Sequence, residues 1–153
     1  MHMKGKLYLI PTVLAEDTEG TMLPPAIKSA VQGIRYYLCE NVRTTRRYVS
    51  RLGVPPESLH FDLLDKATPV EALRKILEPL LKGNDMGLVS ESGCPAIADP
   101  GAMAVEFAHS HGITVVPLPG PSALLLALMA SGLNGQQFAF HGYLPIDSRE
   151  ISQ

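Results

Sequence analysis

Five short, mostly apolar runs recur along this 153-residue chain, at residues 7–10, 34–39, 59–63, 86–89 and 113–116, and each gives way to a segment with helix signals. That alternation constrains the fold more than any other feature. A run of four to six residues is too short for a helix, and a strand without polar alternation must be covered on both faces. Strands alternating with helices then build a parallel sheet between two helical layers. The expected fold class is α/β: a five-stranded, mainly parallel sheet with helices on both faces.

The helix signals are local. Pro24 and Pro25 fit only the first turn of a helix over 24–32. Asn41 is placed to cap a helix that ends at Gly53. Thr68, Pro69 and Glu71 spell a capping box with proline at the first helical position, and the helix they open runs toward Gly83. Pro79 should kink or shorten it. Asp99 and Pro100 open a helix that stops at Gly112, and Pro121 opens one that ends near Gly132. Leu124, Leu125, Leu126 and Leu128 on that last helix are expected in the core, and residues 138–141 begin something new.

Apolar residues make up 46% of the chain and charged residues 18%, which argues against disorder. Cys39 and Cys94 form no CxxC pair, a usage that fits a reduced, cytoplasmic protein. There is no apolar run of membrane-spanning length and no signal-peptide core in the first residues, so no membrane role is expected. A net charge of −2 gives no global basic field. His60, His109, His111 and His141 lack metal-ligand spacing, and no metal is expected. A GxGxxG turn after the first strand, a Walker loop, HExxH and GxSxG are all missing from the sequence, which disfavours the chemistries those motifs serve.

Two loops stand out. VSESGCPAIADPG (residues 89–101) joins the fourth strand to a helix through small, polar residues that let backbone N–H groups approach a ligand. PLPGPSALLLAL (117–128) leaves the fifth strand, turns on proline and glycine, and enters a helix. Loops at the carboxyl ends of neighbouring strands line the crevice of an open α/β sheet.

VSESGCPAIADPG resembles the VSDAGTPLISDPG-type loop of the tetrapyrrole methylase family, whose members bind S-adenosylmethionine. PLPGPSALLLALMASGL (117–133), FAFHGYLP (138–145), CENVRTTRRYVSRLG (39–53) and GKLYLIPT (5–12) resemble, in order, further blocks of the branch that methylates ribose 2′-hydroxyls of small-subunit ribosomal RNA. The resemblance implies a strand order of 3-2-4-1-5, S-adenosylmethionine as methyl donor, a homodimer, and a C-terminal domain of comparable size. On that basis residues 1–145 form the N-terminal domain and 146–153 begin a linker. The chain alone is then expected to bind S-adenosylmethionine poorly and not to be catalytically competent. One departure is PTVLAED (11–17), which stands where the branch has a glycine-containing PIGN-type loop.

The resemblance assigns a cofactor site to Ser90, Glu91, Ser92, Gly93 and Cys94 with Pro119, Gly120, Pro121 and Ser122, and with Pro11 and Thr12 at its edge. Asp99 is read first as a helix cap. Arg43, Arg46, Arg47 and Arg51 lie on one helix, and Arg43, Arg47 and Arg51 share a face at i, i+4 spacing that suits RNA phosphates or is simply solvated. Glu40, ending the second strand, is the candidate base for a hydroxyl proton. Two other readings stay open: methylation of a tetrapyrrole or other small molecule, and a non-catalytic binding domain.

Overall fold

A computed structural model describes residues 3–143. The elements in chain order are β1 (Lys6–Ile10), α1 (Glu19–Met22), α2 (Pro25–Val31), β2 (Tyr36–Cys39), α3 (Val42–Arg51), a 3₁₀ turn (Pro56–Ser58), β3 (His60–Leu63), α4 (Val70–Ile76), α5 (Glu78–Leu81), β4 (Met86–Val89), α6 (Gly101–Ser110), β5 (Thr114–Pro117) and α7 (Ala123–Ser131). The chain divides into two compact units, residues 1–123 and 124–153.

The first unit holds the whole sheet, in the order β3-β2-β4-β1-β5, with every pairing parallel. β4 lies at the centre and all four of its residues are buried. Strand periodicity sends alternate side chains to opposite faces. Ile10, Tyr37 and Val89 enter one core with Ile27 and Val31 of α2 and Tyr48 and Val49 of α3. Leu7, Leu38, Met86 and Leu88 enter the other with Leu73 of α4, Leu80 of α5 and Ala104 and Ala108 of α6. Gly87 is needed between them, because a Cβ there would lie 2.6 Å from Ile10 Cδ1 and 3.0 Å from the Tyr37 ring.

Local signals set most boundaries. The Asn41 side chain accepts hydrogen bonds from the N–H groups of Arg43 and Thr44, capping α3. Pro79 interrupts the 69–83 segment and divides it into α4 and α5. Other expectations need correction. The capping box at Thr68 does not form: Pro69 stands at the N-cap of α4 without a side-chain cap, and the Thr68 hydroxyl pairs with the Asp65 carboxylate instead. The Asp65 carboxylate lies three residues back in the same turn and outcompetes the helix N–H groups. α1 was not anticipated from the sequence.

In the second unit, α7 is apolar all round, yet none of its residues is buried, and Leu125 and Leu126 are about half exposed. The expectation that its leucines form core fails, since so short a unit has too little chain to enclose an apolar helix. Residues 138–141 adopt no regular structure. The linker assigned to 146–153 lies outside the described residues.

Candidate functional site

Parallel strands send their carboxyl ends to one edge of the sheet, and the loops leaving β1, β4 and β5 meet there. The Thr12 N–H donates to Gly93 O at 2.9 Å. The Ser90 hydroxyl donates to the same carbonyl at 2.7 Å. The Cys94 thiol lies 3.4 Å from Gly120 O and 3.3 Å from Pro121 O. Contact is close enough to exclude side chains: a Cβ on Gly120 would sit 2.2 Å from Pro11 Cβ, and one on Gly93, at φ +68°, would sit 2.9 Å from Pro121 O. Pro11, Thr12, Ser90, Gly93, Cys94, Gly120 and Pro121 are thus brought together, with Pro119 and Ser122 adjoining them in the chain.

Beside this junction a cleft of about 330 Å³ opens between the β1–α1 loop and α3. Thr12 to Glu16 and Glu19 form one wall, Thr44, Thr45, Arg47, Tyr48 and Arg51 the other, and Val89, Ser90, Glu91 and Ser92 the floor. Thr12 is 6% exposed, and its Oγ1 has no hydrogen-bond partner among the described residues. A buried hydroxyl without a partner costs about 1–3 kcal/mol, so such an orphan on a residue that lines a cleft is a candidate contact for a ligand group.

The β4–α6 loop is held by its own residues. Asp99 accepts hydrogen bonds from the N–H groups of Ala96 and Gly101, at 2.9 and 2.8 Å. These bonds span a stretch where Ala96 and Ala98 adopt φ of +64° and +59°. Burial raises the Asp99 carboxyl above its ordinary value, and the two N–H groups partly counter that.

Charge is divided unevenly on α3. Arg51 is taken by carboxylates: its guanidinium reaches Asp17 Oδ1 at 3.0 Å and Glu19 Oε1 at 2.9 Å. The Arg51 hydrogen bond is the main cause that holds Glu19 below the usual carboxylate range. Arg43, Arg46 and Arg47 line a shallow surface depression with Val42 and Ser50, and Arg46 also lies over the Phe61 ring at 5.3 Å. Thr44 Oγ1 donates to Glu91 Oε1 at 2.8 Å, linking α3 to the cleft floor. Glu40 stands apart from the cleft, at a small cavity lined also by Cys39, Leu64 and Asp99. Burial raises its carboxyl first, followed by the negative charges of Asp99 and Glu91.

Sequence reading missed Thr44, Tyr48 and the acidic pair Asp17 and Glu19. The spacing of Thr44, Tyr48 and Arg51 at i, i+4, i+7 was the available signal, since it puts all three on one helix face. Tyr48 is buried and its hydroxyl donates to Pro11 O. Among the described residues no cluster of three histidine, cysteine or acidic side chains is placed to hold a metal, and no helix is long and apolar enough to cross a membrane.

No family model matches the chain. It is similar to curated proteins named ribosomal RNA small subunit methyltransferase I. The relative from Xylella fastidiosa is 33% identical over 145 residues, covering 95% of this chain and 51% of that protein. The one from Mesorhizobium japonicum is 35% identical over 94% of this chain and 47% of its own length. The one from Escherichia coli O157:H7 is 34% identical over 95% and 49%. The chain therefore spans about half the length of the curated relatives it matches. With this similarity along nearly the whole chain, the ordered sequence blocks and the 3-2-4-1-5 parallel sheet, the chain belongs to the tetrapyrrole methylase family.

Proposed function

We propose that this chain carries the cofactor loops and part of the acceptor cleft of an S-adenosylmethionine-dependent methyltransferase acting on a ribose 2′-hydroxyl of ribosomal RNA. One observation carries the reading: three loops from β1, β4 and β5 join beside a cleft lined in part by Thr12, whose buried hydroxyl has no partner among the described residues.

The residues present suit the cofactor. S-adenosylmethionine offers ribose hydroxyls, an adenine edge and an amino-acid end, and the loops offer hydroxyls, backbone polar groups and apolar Val13 and Leu14. Bound there, it supplies an electrophilic methyl group. Ser90 to Cys94 and Pro119 to Ser122 orient it, and Pro11 and Thr12 close its edge. Packing of Gly93 and Gly120 against their neighbours keeps the loops rigid, and rigid positioning accounts for much of the rate of such a transfer. Arg43, Arg46 and Arg47 take RNA phosphates, contacts that position rather than specify. Glu40, outside the cleft, is given no part in it.

The shared ribosomal RNA name of the relatives favours an RNA acceptor over a tetrapyrrole. The reading needs no metal, and goes with a cytoplasmic homodimer on the strength of the resemblance. Titration calorimetry with S-adenosylmethionine on wild type and Thr12→Val tests it. A loss of affinity of about fivefold or more in Thr12→Val is expected from a buried hydrogen bond. Unchanged affinity, or a bound structure with the cofactor away from the three loops, overturns the site.

A further inference from the structure

Arg51 is the one arginine of α3 whose guanidinium is paired with carboxylates among the described residues, and both carboxylates belong to the segment that walls the cleft. Nη2 meets Asp17 at 3.0 Å and Nη1 meets Glu19 at 2.9 Å, so each terminal nitrogen has its own acceptor. Asp17 adopts a left-handed φ of +59°, a conformation that an aspartate tolerates but that the loop must be held to keep. One turn earlier on the same helix face, the Tyr48 hydroxyl holds Pro11 O at the other end of the loop. The loop from 12 to 18 contains no glycine, and among the described residues its own hydrogen bonds gather at its end: the Thr18 hydroxyl reaches Ala15 O and Met22 Sδ, and Thr18 O accepts from the N–H groups of Thr21 and Met22 and from the Thr21 hydroxyl. The far end of this wall is therefore set by α3.

We propose that Arg51 is a positioning residue that clamps the β1–α1 loop as the outer wall of the acceptor cleft, through Asp17 and Glu19, and does not itself contact RNA phosphate. This deepens the reading above, since it takes the cleft to receive the acceptor nucleotide. The clamp fixes the width of the cleft beside Arg47, and so the fit of the acceptor, while the loops leaving β4 and β5 keep fastenings that do not involve Arg51: Ser90 to Gly93 O, Asp99 to Ala96 and Gly101, and Cys94 to Gly120 and Pro121.

The test compares Arg51→Gln with the double variant Asp17→Asn/Glu19→Gln, in the full chain with its RNA. If Arg51 clamps, both raise the Kd for RNA by about fivefold, the scale of two partly exposed ion pairs. They leave the affinity for S-adenosylmethionine unchanged, and combining all three changes adds nothing further. Arg51→Lys restores part of the loss. The slope of log affinity against log salt stays at the wild-type value. If instead Arg51 binds phosphate, Arg51→Gln lowers that slope by about one and the acidic double variant binds RNA as tightly as wild type or more so, which overturns the clamp.

Hydrogen exchange of amides 13–18 gives a readout independent of activity. Exchange about tenfold faster in both variants supports the clamp; wild-type exchange in both overturns it. Absence of RNA binding by the wild-type protein would sink the functional reading, and the exchange result alone would then decide the clamp.

Discussion

The loops that follow β1 and β4 leave neighbouring strands of one sheet and border the same cleft, yet they differ in how far they rely on their own residues. The β4–α6 loop fastens itself: Ser90 bonds to Gly93 O, and Asp99 bonds to the N–H groups of Ala96 and Gly101. These partners lie two or three residues away, so much of its shape is written locally, although Gly93 O also accepts from the Thr12 N–H, Glu91 from Thr44, and Cys94 reaches Gly120 O. The β1–α1 loop is gripped by Tyr48 and Arg51, side chains more than thirty residues further along the chain. A self-fastened loop keeps its form when its surroundings change, and a gripped loop takes its form from the surface that grips it. The first kind suits a cofactor that is the same for every turnover. The second suits an acceptor, where small changes in a wall alter what fits.

The largest expected effect comes from the junction that both loops share. Gly93→Ala places a Cβ 2.9 Å from Pro121 O at a left-handed φ, and Gly120→Ala drives one into Pro11. Each should cost about 3 kcal/mol of stability, from steric overlap and, at Gly93, backbone strain as well. Urea unfolding measures that cost, and calorimetry should show cofactor binding lost in both. Tolerance of either change would mean that the loops do not pack as closely as the sheet edge requires.

Breaking the local fastening comes next. Asp99→Ala leaves the N–H groups of Ala96 and Gly101 without their acceptor and should destabilise the fold by about 2 kcal/mol. Cofactor affinity should fall with it, since the strained Ala96–Ala98 stretch loses its anchor. If stability falls while cofactor binding holds, the loop beyond Gly93 is scaffold only.

Breaking the long-range grip should cost less. Tyr48→Phe removes one buried hydrogen bond to Pro11 O, worth about 1 kcal/mol in urea unfolding. The expected signature is faster exchange in residues 11–18 with the β4–α6 loop unchanged. Equal loosening of both loops would erase the distinction between them.

The smallest effect is a pH dependence that sharpens the local side. Burial raises the Asp99 carboxyl in the folded protein above its ordinary value of 3.8. A raised folded value means the folded state holds the proton more tightly, so this contribution is complete at low pH and is lost as pH rises through the folded value. Asp99→Asn has no proton to lose. Its stability deficit relative to wild type should therefore be largest near pH 3 and smaller at pH 7, as followed by thermal melts across that range. A deficit that grows with pH would reverse the assignment.

Much of the β4 and β5 loop geometry was legible because its signals are short in range. Small residues in VSESGC, the Asp-Pro-Gly helix entry and the proline-glycine turn after β5 each state a backbone preference within a few residues. The α3 side of the cleft was not. Arg43, Arg47 and Arg51 share one spacing and look equivalent in the sequence, but only Arg51 meets Asp17 and Glu19 in the fold. Glu40 directly follows β2, yet lies at a cavity with Asp99 instead of in the cleft. A charge reads the same in sequence whether it is free or paired, because its partner is chosen by how the elements pack.

The sequence by itself determined the alternation of five strands with helices, the burial of the central strands on both faces, the break at Pro79 and the cap at Asn41. Those follow from side-chain periodicity and from backbone rules that act over one or two turns. Periodicity alone did not give the 3-2-4-1-5 strand order; resemblance supplied it, and the register of the sheet bears it out. What only the tertiary structure decided was which distant groups meet: the failure of the Thr68 capping box, the orphaned Thr12 hydroxyl, the Thr44–Glu91 bond and the pairing of Arg51. Such contacts depend on loop closure and on crossovers between elements, and a local pattern carries no information about which surface another part of the chain will present.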